Sequence, residues 1–324
     1  MNEPAPLPHM NSEFNRSITV GDWCALLGVA PAALSKRCIE HIQTTQSDYR
    51  VLSPSEREAH VIHILKRLSS RGIARTTQEN IAAFESGWDE NVRLCETHGV
   101  SAETLKPKYV KEHGCIRYQR DYIAPLNPFL ANALLEIAAG YYFKKYLDST
   151  KSVYEYGCGT GRFVFQLSEL YPEKPLVGLD WTRSSQKLLG LIGATGKPVS
   201  GLRFDMLAPD QNIKLDSGTG VVTIGALEQL GDRFGPFLDY LLSNRPEIVV
   251  HLEPIEDFYG DDTLCDCMGS LYHRQRKYLS GYLPALQALQ QEGRIQIFES
   301  RRLCFGDPYH ESSSCIVWKP LKTE

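Results

Sequence analysis

The sequence is short of several features that would place it at once. Its 35 Lys and Arg fall behind 39 Asp and Glu, leaving a formal charge of −4. A chain built to hold DNA or RNA usually shows a basic face, so this balance speaks against a nucleic-acid substrate. No apolar run is long enough to cross a bilayer. Residues Met1 to Met10 are polar and proline-rich, unlike a secretory leader. The nine cysteines contain no C-x-x-C pair. Cys265 and Cys267 stand one residue apart, and no His or Cys partners sit at zinc-finger spacing. An odd, scattered set reads as reduced thiols, which predicts a cytoplasmic protein with no metal site. Internal repeats and low-complexity linkers are missing too. The remainder is ordinary for a folded chain: 324 residues, 42% hydrophobic and 23% charged. That length allows a sizeable core and two domains.

One stretch organises the rest: Val153-Tyr154-Glu155-Tyr156-Gly157-Cys158-Gly159-Thr160-Gly161-Arg162-Phe163. It reads as a buried strand, a glycine turn and the first turn of a helix. The turn needs backbone angles that a Cβ forbids, and a ligand must come close to the helix-start N–H groups. A nicotinamide site spaces its glycines G-x-G-x-x-G and seats a pyrophosphate on the helix. Here the third glycine comes one residue early, and Glu155 precedes the turn. A carboxylate there repels a pyrophosphate and welcomes a cation. Further on, Leu176-Val177-Gly178-Leu179-Asp180 is an apolar run ending in an acid, placed to accept hydrogen bonds from ribose hydroxyls. Gly201-Leu202-Arg203-Phe204-Asp205-Met206 reads as a third strand ending in another acid.

Three strand-end signals in this order resemble the class I S-adenosylmethionine (SAM)-dependent methyltransferases, over roughly Lys151 to Pro320. The resemblance implies a Rossmann-like α/β sheet, mostly parallel, with an antiparallel terminal strand. It implies SAM as cofactor, held by Glu155, Gly157, Cys158, Gly159, Gly161, Asp180, Trp181, Asp205, Met206 and Gly225. The segment before the glycine turn often covers SAM in that family. Tyr118 and Tyr122 are then candidates for an aromatic cover, and Arg120 for the SAM carboxylate. The fourth strand, Val221 to Ile224, runs into Gly225-Ala226-Leu227-Glu228-Gln229-Leu230, which resembles the motif flanking the reacting methyl. Glu228 is therefore a candidate substrate contact, with a solvated helix start as the plain alternative.

The rest divides as follows. Residues 1–16 read as a flexible tail and 17–108 as an all-helical N-terminal domain, a lid, a substrate domain or a dimer interface. Residues 109–150 form a connecting segment over the cofactor site, and 151–324 the SAM-binding domain. Within the helical part, Ser53-Pro54-Ser55-Glu56 is a capping box. Ile81, Phe84, Trp88, Val92 and Cys95 form a stripe read as ordinary helix packing. His60 and His63 read as surface or packing residues, and Cys158 as a filler. His251, inside the fifth strand, reads as a hydrogen-bonded core residue. The basic run Tyr272 to Tyr278 reads as a solvated helix face, with an acidic substrate as its functional alternative. The longer helical stretch that holds this run contains Pro284 and so reads as two helices.

The activity predicted is methyl transfer to a small molecule, its acceptor atom open. One alternative keeps the SAM site and cyclises SAM to azetidine-2-carboxylate and methylthioadenosine. Another is a SAM-binding scaffold without catalysis. The intact acids and glycines speak for retained SAM binding.

Overall fold

The computed structural model describes residues 14–69 and 77–322. The tail expected at 1–16 lies mostly outside them. In chain order the elements are β1 (Arg16–Ser17), α1 (Val20–Leu27), α2 (Lys36–Thr44), β2 (Asp48–Val51), α3 (Pro54–Ser69), α4 (Thr77–His98), β3 (Ile116–Tyr118), β4 (Asp121–Pro125) and α5 (Leu130–Tyr146). Then follow β5 (Ser152–Tyr156), α6 (Arg162–Leu170), β6 (Leu176–Asp180), α7 (Arg183–Ala194), β7 (Val199–Arg203), β8 (Thr219–Ile224), α8 (Gly235–Asn244) and β9 (Ile248–Glu253). The chain closes with α9 (Leu264–Arg276), α10 (Tyr282–Gln291), β10 (Ile295–Arg302), β11 (Phe305–Gly306) and β12 (Ser314–Pro320).

Seven strands make the large sheet, in the order β10-β12-β9-β8-β5-β6-β7. All the pairings from β9 to β7 are parallel, and β12 runs antiparallel to both β9 and β10. This is the mostly parallel sheet with a reversed last strand that the resemblance implied. β6, β8 and β9 are buried along their whole length, as strands covered on both faces must be. Because β5 pairs with β6 on one side and β8 on the other, the strand order reverses at β5. Ligand crevices in open α/β sheets lie at the carboxyl ends of strands at such a switch point.

The N-terminal region departs from expectation in two ways. It is not all-helical: β1 and β2 join β4, β3 and β11 in a second, antiparallel sheet. Asp48-Tyr49-Arg50-Val51 is too short to show alternation by itself, and it becomes a strand by pairing with β4, more than seventy residues on. Nor is it packed apart. Trp23, Leu27, Trp88, Phe143, Val153 and Val317 belong to one hydrophobic core, so no packing boundary falls at 108 or 150. The Ser53–Glu56 box forms as read, with Ser53 N–H donating to Glu56 at 2.8 Å. Lys277 in the left-handed region ends α9 ahead of α10. No helix among the described residues is long and apolar enough to cross a membrane.

Candidate active site

The carboxyl ends of β5, β6 and β8, with the segment just past β7, surround a cavity of about 770 Å³ counted out to its mouth. The glycine turn forms its floor. Gly157 has φ +69°, and a Cβ there would lie 2.4 Å from Ala226 Cβ. Gly159 has φ +54°, and a Cβ would come within 3.2 Å of the Trp88 ring. Both positions need glycine for conformation and for clearance. Of the residues expected here, Glu155, Gly157, Cys158, Gly159, Asp180, Trp181, Asp205, Met206 and Gly225 line the cavity. Gly161 does not; it caps α6 from behind the turn.

Asp180 is buried, and its carboxylate is partly used by the protein. Oδ2 accepts from Gly159 N–H at 3.0 Å, and Oδ1 from the N–H and hydroxyl of Thr182 at 2.8 and 2.7 Å. Ser185 adds a further hydrogen bond to the same carboxyl, so the protein itself uses most of what an ionised carboxylate can accept. Asp180 thus clips the glycine turn to the start of α7. Glu155 is different. It is 2% exposed, and its Oε2 has no hydrogen-bond partner. Burial pushes its carboxyl up to about 8; Arg162 opposes the shift, while Asp180 and Glu253 reinforce it. The Val164 N–H also holds the carboxyl and pulls it back, but a buried oxygen left without a donor is costly unless a cationic group arrives to meet it.

Glu253, at the end of β9, is fully buried and organises the turn after β8. Its two oxygens accept from the N–H groups of Ala226, Leu227 and Glu228 at 3.0–3.2 Å. That turn presents Gly225, Ala226, Gln229 and Leu230 to the cavity. Glu228 itself is not among the lining residues. It sits just behind, half-buried, accepting from Gln229 Nε2 at 2.7 Å. Desolvation pushes it up to about 8, Glu253 adds to the rise, and Gln229 and Arg276 pull it back.

The cover is not where the resemblance put it. Tyr118 and Tyr122, read as caging residues, face away from this cavity. Tyr118 packs beside Tyr49, and Tyr122 stacks edge-on with His60 while its hydroxyl donates to Pro308 O. The cause is the β3–β4 hairpin, which carries both rings into the second sheet. Arg120 lies exposed in the left-handed turn of that hairpin, away from the cavity. The cover is built instead by Phe84 and Trp88 of α4, stacked at 5.4 Å, and Tyr109, edge-on to Trp88 at 5.8 Å. Tyr109 opens the segment read as the cover. Trp88, read as plain packing, is buried yet lines the cavity, and its indole Nε1 has no partner. Glu85 latches this helix down: it accepts from Arg183 and Ser184 N–H at 2.8 and 2.9 Å, where the α7 dipole favours an acid.

Sequence reasoning also missed Arg162, which directly follows the glycine turn. It lines the cavity, pairs with Glu136 at 3.0 Å and lies over the Phe163 ring. Its position as the first residue of α6 was the available signal. His251 is a core residue, its ring nitrogens within 2.8 Å of the Thr223 and Tyr282 hydroxyls; burial lowers it to about 3, so it stays neutral. Cys158 is a buried thiol whose pKa burial raises, a filler and no nucleophile.

No family model matches the chain, and no curated protein does. Among solved structures, its backbone is similar to magnesium protoporphyrin IX methyltransferase from Synechocystis PCC 6803 with bound SAH (11% identity, 76% of this chain and 100% of that one, TM-score 0.45). It is similar also to the 16S rRNA methylase ArmA (14%, 72% and 98%, TM-score 0.45). A third is an O-methyltransferase family 2 protein from Planctomyces limnophilus DSM 3776 in complex with apigenin (11%, 82% and 94%, TM-score 0.44). Likeness at this level concerns the path of the backbone, and what those proteins act on is theirs.

Proposed function

We propose that the cavity binds SAM and that the protein transfers its methyl group to a small molecule. The observation that carries this reading is Glu155: a buried carboxylate with an unpartnered oxygen, beside a glycine turn in a cavity walled by aromatic rings. Such a group suits an ammonium and repels a pyrophosphate. The other cavity residues fit the remaining parts. The Asp180 carboxylate at the cavity wall suits a ribose hydroxyl, Arg162 a carboxylate, and the Phe204–Asp205–Met206 wall a purine. Arg162 takes the role expected of Arg120.

Bound SAM would supply an electrophilic methyl carbon on a cationic sulfur. The chain then has three tasks. Glu155, Asp180 and Arg162 fix position, which by itself lowers a displacement barrier. Phe84, Trp88 and Tyr109 exclude water and offer ring faces to a cation. Glu228, behind the Gly225 turn, can take up an acceptor proton once it is ionised, above about pH 8.

The same aromatic cover suits SAM cyclisation, and one experiment separates the two. Purified protein is incubated with SAM alone and the products are weighed by mass spectrometry. S-adenosylhomocysteine appearing only when small-molecule extracts are added supports methyl transfer. Methylthioadenosine with a four-membered cyclic amino acid, formed without an acceptor, overturns it in favour of cyclisation.

A further inference from the structure

Cations are scarce in the first cavity and gathered beside it. A second cavity, about 1380 Å³ counted out to its mouth, opens between α3, residues 111–115 and α9. Arg67, Lys111 and Arg276 line it together with His60, His63 and His113, and Glu112 is the only acid among its lining residues. Tyr272 and Tyr309, stacked at 5.4 Å, add an apolar side. The basic run on α9 therefore divides: Arg274 pairs with Glu256 at 2.6 Å, while Arg276 lines the cavity and donates to the Tyr278 hydroxyl at 3.1 Å.

The two cavities meet at a wall. Along one side of it Tyr109 lines the first and Lys111 to Cys115 line the second. Along another, Gln229 lines the first, holds Glu228 by a hydrogen bond, and Glu228 in turn feels the Arg276 charge. A concave surface lined by three cationic side chains and one acid favours an oxyanion, through a focused field and charge-assisted hydrogen bonds. An acceptor whose anionic end is anchored there reaches the methyl site past Glu228 and Gln229.

We propose that the second cavity holds the anionic group, a carboxylate or a phosphate, of the small molecule that receives the methyl. The proposal rests on the methyl-transfer reading. Its test is calorimetric titration of S-adenosylhomocysteine-loaded protein with phenyl phosphate, benzoate and neutral benzyl alcohol. At least one anion binds and the alcohol does not; the tighter anion names the group. Arg276→Gln and the exposed Lys111→Gln each weaken that anion about tenfold. Raising salt from about 0.1 to 1 M weakens it further. Absence of anion binding, equal binding of the alcohol, or unchanged affinity in both variants overturns the proposal. Titrating the same proteins with S-adenosylhomocysteine keeps the two readings apart. If that ligand fails on wild type, the cofactor assignment falls, while the anion titration still reads on unloaded protein. If it binds equally to wild type and both variants, a lost anion response belongs to the second cavity.

Discussion

The rim and the cover of the first cavity are built on different principles. The rim is polar. Glu155 and Asp180 stand at the ends of adjacent parallel strands, held in register by the backbone ladder, with Asp205 just past β7. The cover is aromatic. Phe84, Trp88 and Tyr109 come from far up the chain and are held by ring stacking and the Glu85 latch. The proposed function thus gives recognition to the part that sheet hydrogen bonds make rigid, and shielding to a helix packed across it. Affinity and access should therefore respond to different mutations.

The strongest test of the rim is Asp180→Ala. It removes the proposed ribose acceptor and unclips Gly159 from Thr182, so SAM affinity falls by about 1–3 kcal/mol in calorimetry. Unchanged affinity would remove Asp180 from the site.

Glu155→Gln comes next, through pH. The free Glu155 carboxyl is raised to about 8 by burial, and an ammonium selects its ionised form. Wild-type SAM affinity then rises with pH toward about 8, by up to about tenfold per unit, and falls again where the ammonium loses its own proton. The Gln variant binds weakly with no such slope. The same shift acts on stability with the opposite sense. A raised native pKa means that the folded state holds its proton longer than the unfolded chain does. This contribution is full below the ordinary carboxylate range and is lost as pH climbs to about 8. Melting curves of the unliganded variant should therefore decline less over that window than those of wild type. Parallel pH profiles in both assays would refute the role.

The cover is tested by Trp88→Leu. Loss of a ring face costs SAM roughly tenfold in affinity, more than the change in melting temperature explains. A variant that binds like wild type would reduce Trp88 to packing. The smallest effect sharpens the same contrast. Tyr118→Leu and Tyr122→Leu should leave SAM affinity unmoved beyond any change in melting temperature, because the hairpin turns both rings away from the cavity. A loss of affinity in either would restore the cover that the resemblance suggested.

Legibility follows the range of the interaction. The glycine turn, the acids at 155, 180 and 205, and the order of the strands are local: each is spelled in a few adjacent residues by period, turn chemistry and strand-end position. Arg162 was equally local and could have been read as the first residue after the turn. The Phe84–Trp88 stripe could not. An aromatic pair at i and i+4 looks the same whether it packs on a neighbour or over a ligand, and the clearance that Gly159 leaves for Trp88 is visible only in space. Tyr118 and Tyr122 failed for the converse reason: their distance before the turn suited a cover, but pairing with β11 and β2 sent the hairpin elsewhere.

The sequence by itself determined the glycine turn and the acids around it, because strand ends and turns are written in contiguous residues. Only the tertiary structure decided what closes over them, which arginine reaches them and where the cations collect. Those depend on helices meeting across many residues of intervening chain, where burial rewards any well-packed face and the local pattern does not say which one.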